Sequence, residues 1–81
     1  MRLPRDVSGE DLATRLGRLG YRVTRQTGSH VRLTTERNGE HHITIPNHPS
    51  LRIGIVAAIL SDVAQHLEMP KEELNSSLFE K

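Results

Sequence analysis

Apolar residues recur with a helical period near the start of the chain. Three leucines follow one helical stripe, at Leu12, Leu16 and Leu19. Ser8 followed by Asp11 is typical of a capping box, in which the hydroxyl accepts a hydrogen bond and the acid reaches back. Gly20 is a common helix stop. The pattern predicts a first helix from about residue 9 to 19.

A period of two replaces the helical period between residues 21 and 45. It predicts strands over residues 21–24, 30–34 and 42–45. Apolar side chains in the second and third strands point inward, namely Val31, Leu33, Ile43 and Ile45, whereas His30, Arg32 and Thr34 point outward. Thr27-Gly28 is typical of a turn, and Asn38-Gly39 is a strong signal for a type I′ hairpin. The segment therefore predicts a three-stranded antiparallel meander with one polar face.

The helical period returns after Pro46, Pro49 and Gly54. A broad apolar stripe predicts a second helix from about residue 54 to 68, and Pro70 can open a short third helix that carries Leu74, Leu78 and Phe79. The order α-β-β-β-α predicts a two-layer α+β fold in which helices cover one face of the sheet. We expect one domain over residues 1–81, with a core of about 7–68 and a helical extension over 69–79.

Composition excludes several classes of protein. A chain of 81 residues without cysteine has no disulfide, thiolate nucleophile or cysteine-based metal site, and is too short for a dinucleotide-binding sheet. The longest apolar run, residues 55–60, is far below the roughly 20 residues that span a bilayer. These features favour a cytoplasmic protein with no membrane partner.

The charges are distributed unevenly although the net charge is only +1. All nine arginines lie in residues 1–52 and give that part a net charge of +4, whereas residues 53–81 carry −3. An arginine-rich face can bind a polyanion. A solvated surface of mixed charge is the simpler interpretation, since nucleic-acid-binding domains usually have a higher pI.

Histidines provide the candidate chemistry. His30 follows Gly28-Ser29 and faces outward beside arginines, where an imidazole can act as an acid or base. His41, His42 and His48 suggest a metal site, but neighbouring strand residues point to opposite faces. We therefore expect His41 to be partly buried, and we expect no metal and no cofactor.

Apolar surface on the second and third helices offers a different type of function. Most of it is expected to be core, but part of it is available for a partner or for a weak homodimer. Base stacking on a single strand has little support, because the chain has one Tyr, one Phe and no Trp.

An ordered set of motifs resembles the HicA (YcfA-like) toxin family. The set comprises Leu19-Gly20-Tyr21, Arg25-Gln26-Thr27-Gly28-Ser29-His30, Ile45-Pro46-Asn47-His48-Pro49, and Gly54 with Ala58-Ile59-Leu60. The resemblance covers about residues 7 to 75. It implies a fold like that of double-stranded-RNA-binding domains. The chain departs from the family in having two lysines and an acidic C-terminal segment.

The resemblance implies a toxin that cleaves messenger RNA and is neutralised by a HicB-type antitoxin. By position, His30 matches the catalytic histidine of the family, Gly28 and Ser29 complete its motif, and His48 matches a frequent histidine after the third strand. Cleavage would use the 2′-hydroxyl of the RNA, with His30 as acid or base. Arg25 and Arg32 would stabilise the charged transition state, and Arg22 would add to RNA binding.

Two other functions fit the same sequence. A non-catalytic module of this fold would bind double-stranded RNA by shape and phosphate contacts. It would depend on the arginines and not on His30. A protein-interaction module would use the second and third helices and would have no RNA affinity at physiological salt.

Overall fold

The computed structural model of the protein describes residues 6–79, and its elements follow the predicted order. They are α1 (Gly9–Leu16), a 3₁₀ turn (Gly17–Leu19), β1 (Arg22–Gln26), β2 (His30–Thr35), β3 (His41–Pro46), α2 (Ile53–Leu67) and α3 (Lys71–Phe79). Residues 1–5 and 80–81, the ends of the expected single domain, lie outside the described residues. None of these helices is long and apolar enough to cross a membrane.

The sheet has the order β1-β2-β3 and is antiparallel throughout. The inward side chains of β2 and β3 are buried as predicted, at Val31, Leu33, Ile43 and Ile45. The helices pack on this inner face, since one apolar cluster joins residues of the sheet to residues of all three helices. The predicted α+β layout with one open sheet face is confirmed.

Local side-chain and backbone features fix where α1 begins and where the helical segment ends. The Ser8 hydroxyl accepts a 2.9 Å hydrogen bond from the Asp11 N–H, so the first half of the capping box is confirmed. The Asp11 carboxylate is engaged instead by Arg15 Nε, at 3.1 Å from both oxygens. The helix then tightens into the 3₁₀ turn and stops at Gly20, whose φ of 91° suits glycine.

Two arginines of the first helical segment contact α3 and so stabilise the fold. Arg15 donates a 2.7 Å hydrogen bond to the Leu78 carbonyl and lies over the Phe79 ring, with its guanidinium carbon 5.0 Å from the ring centre. Arg18 also approaches the Leu78 carbonyl, at 3.4 Å. Cations at a helix C-terminus stabilise the carbonyl groups exposed there. Part of the uneven charge seen in the sequence is therefore used to attach α3.

The edge strand β1 and Thr34 differ from the predicted pattern. The strand begins one residue later than predicted and continues to Gln26, with an irregular register between Val23 and Arg25. Val23 faces the inner side but is 51% exposed, because it lines an open groove beside α1. Thr34 lies on the outer face but is buried, because its hydroxyl lies 2.8 Å from both Thr24 Oγ1 and His42 Nδ1.

The predicted hairpin between β2 and β3 is confirmed, but its loop is longer than a type I′ turn. Asn38 and Gly39 both have positive φ, 57° and 96°, as the sequence signal requires. The loop nevertheless has five residues, 36–40, because Thr35 pairs with His41. Asn38 is held by α2, since its amide donates to the His66 carbonyl at 2.8 Å.

Candidate active site

The outer face of the sheet carries the three predicted RNA-binding arginines together. Arg25 pairs with Arg32 across β1 and β2, Arg22 pairs with Thr34, and side chains of paired residues share one face. All three arginines are exposed. None of them forms an ion pair with a carboxylate of residues 6–79. Like charges directly opposite each other are unfavourable, so this face is suited to an anion.

His30 begins β2 at one end of this arginine face. The Ser29 hydroxyl lies 3.0 Å from His30 Nδ1, so the residue before the histidine can orient its ring. The chain around it is held by the Asn47 N–H, which donates to the Ser29 carbonyl at 2.9 Å. Gly28 does not have a positive φ, and a side chain there would meet nothing within 4 Å. The backbone at Gly28 therefore does not require glycine, and the missing side chain leaves open space beside His30 for a ligand.

A pocket of about 410 Å³ lies at the end of the sheet where β2 begins and β3 ends. His30 and His48 both line it, so the structure brings together two histidines that are 18 positions apart in the sequence. The remaining lining residues are Pro46, Ser50, Leu51, Arg52 and Ile55. Among the described residues that line it, none carries a carboxylate. Its charge and volume suit a phosphate-bearing unit of a nucleic acid.

The segment that carries His48 is fixed by backbone contacts with α1. The Gly9 N–H donates to the His48 carbonyl at 2.9 Å, and the His48 N–H donates to the Pro46 carbonyl at 3.0 Å. A methyl group at Gly9 would overlap the Pro46 carbonyl oxygen. The approach of helix and loop therefore requires glycine at this position.

His41 and His66 form a separate cluster at the opposite end of the sheet, whereas His42 lies on the outer face with its Nδ1 2.8 Å from Thr34 Oγ1. His41 lies between the Tyr21 hydroxyl, 2.8 Å from Nδ1, and Asp62 Oδ1, 3.2 Å from Nε2, and its ring stacks on His66 at 4.2 Å. His66 Nε2 donates to two carbonyls of the 36–40 loop. His41 is partly buried, as predicted. No group of three His, Asp or Glu side chains within residues 6–79 is arranged to hold a metal ion.

Tyr21 makes protein stability sensitive to alkaline pH. Burial, together with the nearby Asp62 carboxylate, raises the pKa of Tyr21 from 10.0 to about 12. The folded state retains this proton more tightly than the unfolded state, so the stabilisation that depends on the protonated Tyr21 hydroxyl is complete below pH 10. As pH rises towards 12 this stabilisation is lost, which lowers the free energy of unfolding by at most about 3 kcal/mol.

We expect the wild type to lose more free energy of unfolding than Tyr21→Phe between pH 9 and pH 12, measured by urea denaturation. Tyr21 is the only tyrosine, so its ionisation can also be followed directly by ultraviolet absorbance. Equal pH dependence in both proteins, or ionisation near pH 10, would contradict the prediction.

The sequence analysis did not identify some residues of the His30 pocket and of the cluster around His41. Asp62 and His66 lie one turn apart on α2 and Tyr21 lies just before β1, and no spacing along the chain connects them with His41. Arg52 and Ser50 were also missed as neighbours of His30. The available signal was their position between the third strand and the second helix, in the same loop as His48.

Comparison with known proteins gives a match to one family. The model of the HicA toxin of bacterial toxin–antitoxin systems matches residues 9–64, a range that contains both histidines of the pocket. No curated protein and no solved structure gives a significant match. Because the matched range covers more than half of the chain, the protein belongs to the HicA toxin family of bacterial toxin–antitoxin systems.

Proposed function

We propose that this toxin is a metal-independent endoribonuclease that cleaves messenger RNA in the cytoplasm and is neutralised by a HicB-type antitoxin. The observation that carries the proposal is the position of His30. It lies in a pocket lined by a second histidine and an arginine, at the end of an arginine-bearing sheet face. Membership of a toxin family supports a growth-inhibiting activity for this site.

The proposed reaction is an internal transesterification. The 2′-hydroxyl oxygen of the RNA attacks the adjacent phosphorus, and the bond from phosphorus to the 5′-oxygen of the next nucleotide breaks. His30 transfers a proton at this site, which contributes about 10²–10⁴-fold. Arg25 and Arg32, with N–H groups near Gly28, stabilise the charge that develops on the phosphate. The products are a 2′,3′-cyclic phosphate and a 5′-hydroxyl.

Cleavage of a long unstructured RNA by the purified protein in EDTA tests the proposal. We expect fragments that end in a 2′,3′-cyclic phosphate. Fragments ending in a 3′-hydroxyl, or loss of cleavage on adding the chelator, would contradict it. Binding of RNA with no cleavage would favour the alternative, a non-catalytic double-stranded-RNA-binding module.

The arginine face predicts a specific salt dependence of RNA binding. Replacing both Arg25 and Arg32 by Gln is expected to weaken binding and reduce the slope of log K against log salt by about 1.4, about 0.7 for each contact to single-stranded RNA. Arg37→Gln is the matched control, because Arg37 is exposed in the 36–40 loop at the other end of β2. Equal slopes for the wild type and the double variant in filter-binding titrations would exclude these two arginines as phosphate contacts.

The proposed antitoxin acts by covering the His30 pocket. Ile53 and Ile55, at the start of α2, are 49% and 38% exposed, and Ile55 lines the pocket itself. Exposed apolar side chains beside a charged site are suited to a protein partner. The complex is expected to lack the ribonuclease activity of the free toxin. The weak homodimer and the extension over residues 69–79 stay predictions.

A further inference from the structure

We propose that His48 is the second acid–base group of the cleavage reaction and that Arg52 binds the phosphate being cleaved. This inference rests on the proposed ribonuclease function and deepens it. A single histidine leaves one of the two proton transfers of the reaction without a protein group. The pocket supplies the missing group from the loop that follows β3.

The placement of His48 follows from the pairing of the strands. His30 pairs with Pro46 at the end of the sheet, and the chain turns immediately afterwards through the hydrogen bond from the His48 N–H to the Pro46 carbonyl. Both histidines then line the same pocket of about 410 Å³. The hydrogen bond from the Gly9 N–H to the His48 carbonyl fixes the backbone of this second histidine.

The polar groups of His48 and Arg52 are available for a ligand. Neither the His48 imidazole nor the Arg52 guanidinium forms a side-chain hydrogen bond or ion pair with any of residues 6–79. Both side chains are exposed. By contrast, Arg15 and Arg18 are occupied by α3, and His41, His42 and His66 have protein partners. Two groups without a protein partner among residues 6–79, His48 and Arg52, therefore line the same pocket as His30.

The chemistry requires the two histidines to begin the reaction in opposite protonation states. One neutral imidazole accepts the proton of the 2′-hydroxyl as the bond from O2′ to phosphorus forms. The other, an imidazolium, donates a proton to the 5′-oxygen as its bond to phosphorus breaks. Arg52 stays charged throughout, so it neutralises the phosphate and cannot act as the acid. No water, metal or oxidant enters the balance of this step.

A substrate with a sulfur leaving group separates the two roles. In RNA with one 5′-bridging phosphorothiolate, the thiolate leaves without protonation, so loss of the acid no longer slows the reaction. On ordinary RNA, we expect His48→Ala and His48→Gln to lower kcat by at least about 10²-fold. We expect the sulfur substrate to restore the rate of one variant, His30→Ala or His48→Ala, and not of the other.

The pH dependence of cleavage and matched variants distinguish a catalytic role of His48 from a purely structural one. The wild type is expected to show a bell-shaped dependence of kcat/KM on pH, and each histidine variant is expected to retain only one limb. Arg52→Gln should lower kcat/KM more than Arg52→Lys. His42→Gln is the matched control, because His42 is exposed but does not line the pocket.

The outcomes distinguish this inference from the proposed function. If the wild type does not cleave RNA, the ribonuclease function itself fails and this inference fails with it. If the wild type cleaves and His30→Ala does not, but the folded His48 variants remain as active as His42→Gln, only this inference is overturned. Failure of the sulfur substrate to rescue either variant also overturns it.

Discussion

Replacing His30 by alanine is expected to lower RNA cleavage by about 10²–10⁴-fold, the contribution of a positioned acid–base group. The imidazole is exposed, and its neighbour within hydrogen-bond distance is the hydroxyl of Ser29, at 3.0 Å. Its removal therefore leaves no buried polar group unsatisfied, and the free energy of unfolding should remain close to that of the wild type. Cleavage rates in EDTA and urea denaturation of the same preparations test both parts.

The controls for His30→Ala exclude a contaminating nuclease. His42→Ala removes another exposed histidine from the outer face of the sheet and should leave cleavage unchanged. Induced expression in a bacterial host should arrest growth with the wild type and not with His30→Ala. Equal cleavage by the wild type and His30→Ala would show that His30 is not the catalyst.

Gly9→Ala is expected to cause the largest loss of stability among the substitutions considered. The new methyl group would overlap the Pro46 carbonyl oxygen and lie 3.2 Å from the Asn47 Cα, and both are backbone atoms that cannot move independently. Either α1 or the 46–48 segment must shift. Overpacking of this kind costs about 3 kcal/mol. For a domain of this size, the loss corresponds to a fall in Tm of roughly 15 °C.

Gly17→Ala provides the comparison for Gly9→Ala. Gly17 follows the same helix with a φ of −57°, and a Cβ there would meet nothing within 4 Å. Alanine at position 17 should leave stability unchanged or raise it by about 0.5–1 kcal/mol. Thermal unfolding of the two variants checks the prediction, and a Gly9→Ala protein as stable as Gly17→Ala would contradict it. Because Gly9 holds the His48 backbone, cleavage by Gly9→Ala should also fall.

The order of helices and strands could be predicted because it depends on local periods. Leucines at helical spacing predicted α1, and alternation from residue 30 onward predicted the inward side of β2. Local signals failed where a neighbouring strand decides the outcome. Thr34 was expected to be exposed, but a cross-strand contact with Thr24 and another with His42 bury it. The five-residue hairpin loop likewise follows from the pairing of Thr35 with His41.

Some residues of the candidate site could likewise be predicted from local sequence, whereas others depend on long-range contacts. Gly28-Ser29-His30 is contiguous, so a short motif could suggest His30 as the candidate catalytic residue. His48, Arg52 and the pairing of Arg25 with Arg32 required the strand register and the course of the loop after β3. These depend on contacts such as that between Gly9 and Pro46, which join residues far apart in the sequence. The periods of the chain determined the elements and a contiguous motif pointed to His30 as the candidate, whereas packing between distant segments determined which side chains lie near it.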